Sequence, residues 1–77
     1  MSNNSNPFCL IGTSNNIRQM LYGDSVEQLE VLASERDLDF FAIYRNDPKF
    51  HSATQEEFLV CHRNDPYWIN RGVASAA

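Results

Sequence analysis

The sequence predicts a small α+β domain in which one main amphipathic helix (about 26–36) and a short helix pack on a small, mostly antiparallel sheet. An all-α arrangement of short capped helices is the alternative. Three observations carry the prediction. "GDSVEQLEVLASERDLDF" sets Val26, Leu29, Leu32 and Ala33 at helical spacing behind Ser25. Two runs, "FFAIYR" and "FLVC", are rich in the aromatic and aliphatic residues of buried strands. The link between them is too short for a parallel crossover, so as strands they must pair antiparallel. A chain of 77 residues holds one domain, near the size where a single core only just suffices.

Residues 1–7, "MSNNSNP", are polar and without charge and read as a disordered tail; 8–72 form the domain and 73–77 a frayed C-terminus. "PFCLIG" reads as a short buried strand. "TSNNIRQMLYG" reads as the short helix, capped by Ser14 or Asn15, with Ile17, Met20 and Leu21 as its apolar positions and Gly23 as its stop. In the main helix Ser25 precedes Gln28 with capping-box spacing. At its other end Asp37 takes the position after a last turn containing Arg36, and Leu38 folds back on the final apolar residues. Segments 40–46 and 57–64 read as strands. The helical alternative for them rests on the capping-box spacing of Thr54 and Glu57.

Arg-Asn-Asp-Pro occurs twice, at 45–48 and 63–66. At equivalent ends of antiparallel neighbours the two copies lie at opposite ends of the sheet and cannot converge on one ligand. They read as punctuation: Asp47 or Asp65 bonds the backbone two residues on, and Pro48 or Pro66 pre-sets the turn. In the helical alternative Asn is a left-handed stop, Asp the next cap and Pro the next first position.

Ten acidic residues against six basic ones give a net charge of −4, and six of the acids lie between Asp24 and Asp39 with Arg36 as the one base among them. Glu27, Glu30 and Asp37 fall together on the side of the helix away from its apolar stripe. The bases are scattered at 18, 36, 45, 49, 63 and 71, which excludes the clustered pattern that phosphate binding needs, so no direct nucleic-acid contact is expected. A larger protein with a basic surface is the natural partner. In "PYWINRG", Tyr67 and Arg71 are candidate rim residues of an interface, whereas Trp68 reads as a cap on the core. The predicted partner-binding residues are therefore Glu27, Glu30, Asp37, Tyr67 and Arg71.

Cys9, His51, Cys61 and His62 are the ligand types for zinc, yet no C-x-x-C or H-x-x-x-H pair is present, and Cys61 and His62, adjacent on a strand, point to opposite faces. No metal site and no cofactor are predicted, with His51 in a loop, His62 facing water and two small buried thiols. No nucleophile stands with a base and an oxyanion loop, and no enzymatic activity is predicted. The N-terminus has no basic start and no run approaches a membrane span, so a soluble, cytoplasmic protein without membrane contact is expected. The functional expectation is a small acidic protein-interaction module. Its most specific form is an inhibitor that occludes a basic, nucleic-acid-facing surface of a larger enzyme or defence complex. The alternative is a ligand- or metal-responsive domain using Cys61, His51 and His62.

Overall fold

Asn15 and Asn16 set the first hairpin, with φ of 53° and 66°. Positive φ at both central residues is what a two-residue type I′ turn requires, and asparagine tolerates it better than most side chains. In the computed structural model, which describes residues 6–47 and 55–75, this turn joins β1 (Phe8–Ser14) to β2 (Ile17–Gly23). The two strands pair residue for residue from Ser14↔Ile17 to Phe8↔Gly23. The short helix expected over "TSNNIRQMLYG" is therefore a strand. The apolar spacing of Ile17, Met20 and Leu21 does not bury one face: Ile17 is exposed, Met20 and Tyr22 are partly so, and Leu21 packs toward the core. Pairing with the β1 backbone outweighs a weak helical period.

The chain continues through α1 (Val26–Glu35), β3 (Phe40–Arg45), a 3₁₀ turn (Gln55–Phe58), β4 (Leu59–Arg63) and α2 (Pro66–Asn70). Among the described residues the result is an α+β fold: a four-stranded antiparallel sheet in the order β2-β1-β3-β4, one main helix and one short helix. The short helix is α2 rather than the segment before Gly23. Both disputed segments form strands, over Phe40–Arg45 and Leu59–Arg63 with Glu57 and Phe58 in the 3₁₀ turn, so the all-α alternative does not hold. The capping-box spacing at Glu57 coincides with a single 3₁₀ turn; Thr54 itself lies outside the described residues.

The sheet divides the apolar residues into two cores. On one face α1 lays Leu29 and Ala33 on Leu10, Phe41 and Ile43, with Leu21, Leu38 and Cys61 at the margins. On the other, Trp68 of α2 packs with Cys9, Ala42, Tyr44 and Phe58, flanked by Ile11, Leu59 and Val73. Cys9 and Cys61 thus lie in different cores as free thiols. Gly12 lies where α1's exit crosses the sheet: a Cβ there would stand 2.6 Å from Leu38 Cδ1 and 3.1 Å from the Phe40 carbonyl oxygen.

His62 does not face water as expected; it is 1% exposed. Its Nδ1 accepts the Asp65 N–H at 3.3 Å, which leaves Nε2 as the protonated nitrogen, donating to the Val73 carbonyl at 2.9 Å. A polar residue on this strand is buried because the chain after α2 returns to satisfy it. Val73 packs on the core, and Ser75 Oγ accepts the Asn64 N–H at 2.9 Å, so residues 73–75 are tied down where fraying was expected. Asn6 and Pro7, assigned to the tail, accept through their carbonyls from the Asn46 side chain and backbone, both at 2.9 Å.

The repeated tetrapeptide acts as punctuation at its second copy. Asn64 takes φ of 57°, Asp65 accepts the Tyr67 N–H at 3.0 Å as the cap of α2, and Pro66 opens the helix. In the first copy, Asn46 is the anchor for residues 6 and 7, and Pro48 lies outside the described residues. The two copies are at opposite ends of the β3–β4 hairpin, since Arg63 pairs with Phe41. Each arginine packs on a phenylalanine that precedes the other copy. Arg45 sits 5.4 Å from the centroid of Phe58 and Arg63 5.3 Å from that of Phe41. Phe58 stands one residue further from its arginine than Phe41 does, and the register shift opposite Ile43 and Tyr44 accommodates the extra residue.

Candidate partner-binding surfaces

The predicted site residues fall on two separate surfaces, on opposite sides of the sheet. Glu27, Glu30 and Asp37 belong to the α1 layer. Tyr67 and Arg71 belong to α2 and its C-terminal cap.

α1 is held at both ends. Ser25 Oγ accepts the Gln28 N–H at 3.1 Å, while Gln28 Oε1 reaches back to the Asp24 N–H at 2.7 Å, a capping box displaced by one residue. At the C-terminus Leu38 N–H bonds the Ala33 carbonyl at 3.1 Å and Asp37 N–H that of Ser34 at 3.2 Å. Asp37, with φ of 53°, occupies the left-handed position of a Schellman motif that glycine usually fills. It therefore stands beyond the helix rather than on its face. Glu27 is exposed to water, while Glu30 is half-buried. Its charge adds to burial in pushing the Cys61 thiol above its ordinary range, against the opposing pull of Arg63. Two further acids are engaged inside the fold: Asp24 accepts from the Asn6 side chain at 3.0 Å and Asp39 from the Asn15 N–H at 3.2 Å. No described residue bonds the carboxylates of Glu27, Glu30 or Asp37.

On the other side α2 stands over the β3 side of the sheet. Its Trp68 is buried and its Tyr67 is half exposed, edge-on to the Trp68 ring at 5.0 Å. Arg71 lies over the Tyr67 ring at 4.4 Å, so the two predicted rim residues form one stacked unit. Beside them is an open groove of about 530 Å³ lined by Ile11, Thr13, Arg18, Phe40, Tyr44, Asp65, Pro66 and Tyr67. The register puts Arg18, Met20 and Tyr22 opposite Thr13, Ile11 and Cys9, so all three share this face and extend its floor to the sheet edge. A helical reading of the segment hides these residues. The signal for them was Asn-Asn between two apolar runs, the pattern of a tight hairpin.

Cys61 and His62 point into opposite cores, and both ring nitrogens of His62 are occupied within the fold. His51 lies outside the described residues. Among the described residues no group of His, Cys, Asp and Glu gathers as a metal-holding set, and no helix is long and apolar enough to cross a membrane. No protein-family model, curated protein or solved structure matches this chain.

Proposed function

We propose that this protein is a small protein-interaction module that binds a larger protein through the acidic α1 layer. In its most specific form it is an inhibitor covering a basic, nucleic-acid-facing surface of that partner. The observation that supports this reading is the anchoring of the acidic residues. Leu29 and Ala33 fix α1 to the sheet, both ends of the helix are capped, and the carboxylates of Glu27, Glu30 and Asp37 are left for an outside group. Charges held this way lose little freedom on association, and an acidic array draws a basic surface from beyond contact distance. Cations that hold phosphates on the partner would be neutralised by the same carboxylates, so covering them competes with nucleic acid. The free thiols of Cys9 and Cys61 suit a cytoplasmic setting.

The test is affinity capture from the native host followed by association kinetics at two salt concentrations. Glu27→Lys and Glu30→Lys are combined with Asp37→Asn, which removes charge at a left-handed position without the strain a lysine would add. Slower association of this variant, with a difference that shrinks as salt rises, supports the reading. Binding equal to the parent at low salt overturns it. Tyr67→Ala with Arg71→Ala tests the other surface, whose loss should act on dissociation with little salt dependence.

A further inference from the structure

Strand β2 is an edge of the sheet, and no described residue pairs with its outer side. Natural edge strands are usually short, bulged, prolyl or lysine-bearing, which blocks pairing with another chain. The opposite edge, β4, follows this rule: it is 5 residues long, carries the register shift and is followed, after Asn64, by Asp65 and Pro66. β2 does not. Its 7 residues, "IRQMLYG", keep unbroken register with β1 and include no proline, no lysine and Arg18 as the one charge.

We propose that β2 pairs antiparallel with β2 of a second copy of this chain, about a two-fold axis at Met20, to make a continuous sheet across the dimer. This inference is independent of the acidic-layer reading. A two-residue turn closes on a hydrogen-bonded pair, here Ser14 with Ile17, so alternate residues of β2 direct their backbone groups to β1. The intervening residues Arg18, Met20 and Tyr22 direct theirs outward. Pairing about Met20 is the register that matches all of them: Met20 faces Met20 of the second copy, and Arg18 faces Tyr22 of the second copy at both ends. Each match joins two outward-facing residues, so the hydrogen-bond phase is satisfied throughout. The side chains match as well, since a guanidinium beside a tyrosine ring is a favourable cross-strand pair and thioethers pack on one another without polar cost. Met20 and Tyr22 are each 39% exposed in the single chain, on the face that α2 leaves open.

Sedimentation and native mass spectrometry from micromolar to near-millimolar concentration read the association directly. The parent is expected to form a dimer. Met20→Lys, which sets two like charges opposite each other, is expected to raise the dissociation constant by at least about tenfold with unchanged circular dichroism. Val60→Lys, a matching charge on the other edge, should leave the dimer intact. Met20→Cys is expected to form an intermolecular disulfide on mild oxidation, because directly paired Cα atoms at about 5.5 Å fall within disulfide range. Peptide mapping separates that link from Cys9 and Cys61. A parent that stays monomeric throughout, a Met20→Lys variant that dimerises like the parent, an equal loss in Val60→Lys, or no cross-link through Met20→Cys each overturns the proposal.

Discussion

The indole nitrogen of Trp68 lies 2.8 Å from the hydroxyl oxygen of Tyr44, and this bond joins α2 to the central strand β3 inside the core opposite α1. Both side chains are nearly inaccessible, at 1% and 3% exposure. Replacing Tyr44 by Phe leaves a buried N–H without its acceptor and should cost about 1–3 kcal/mol. Trp68→Phe removes the donor as well as volume. In the double variant the polar part of the Tyr44→Phe cost disappears, so the single effects should fail to add by at least about 0.5 kcal/mol. Urea denaturation of the four proteins measures this. Additive values would show that the bond contributes nothing beyond packing.

Alkaline pH should unfold the domain earlier than its surface charge alone requires. Burial pushes the Cys9 thiol up to about 11 from the ordinary 9.0, and Tyr44 and Cys61 are also raised, chiefly by burial. Between those values the unfolded chain releases the Cys9 proton while the folded chain keeps it. The unfolded state then binds fewer protons, and stability falls as pH rises. Cys9 alone contributes up to about 3 kcal/mol of that loss. Denaturation curves from pH 8 to 11 on the parent and on Cys9→Ala check it, with a shallower decline expected for the variant.

Gly12→Ala should destabilise by about 1–3 kcal/mol, because the added methyl meets the Leu38 methyl at 2.6 Å and backbone on β3 at 3.1 Å. Leu38→Ala in the same chain relieves the first contact and not the second. Partial recovery relative to the sum of the two single effects is the expected result by thermal or urea melting.

Asp65→Ala should cost about 0.5–2 kcal/mol through loss of the cap on α2, and Pro66→Ala about 0.5–1 kcal/mol through a freer unfolded chain. Neither change should alter association through the acidic α1 layer, since both residues lie in the turn between β4 and α2 on the other side of the sheet. Lost binding with unchanged melting would make the repeat a site.

What could be read in advance was whatever rests on strong local chemistry. Ser25, Gln28, Asp37 and Leu38 announce both ends of α1, and the short link after Asp47 forces β3 and β4 antiparallel. The β2 segment is not legible locally, because Ile17, Met20 and Leu21 fit a helical period by chance and the hairpin depends on backbone pairing with residues 8–14 that no local propensity reports. The burial of His62 is illegible for a similar reason: its partners, Asp65 and Val73, come from beyond its own strand. Of the candidate surfaces, Tyr67 and Arg71 were legible from residue type and are stacked together. Arg18, Met20 and Tyr22 joined the same face only through the register with β1.

β3 is buried on both sides, giving Phe41 and Ile43 to the α1 core and Ala42 and Tyr44 to the Trp68 core. Neither half of the molecule owns a strand on which it could survive the loss of the other. A truncation beneath α1 is therefore transmitted to α2, and denaturation followed at Trp68 should coincide with denaturation followed by helical circular dichroism. The two cores should therefore melt as one cooperative unit, and a partner that grips either helix should stabilise the whole chain.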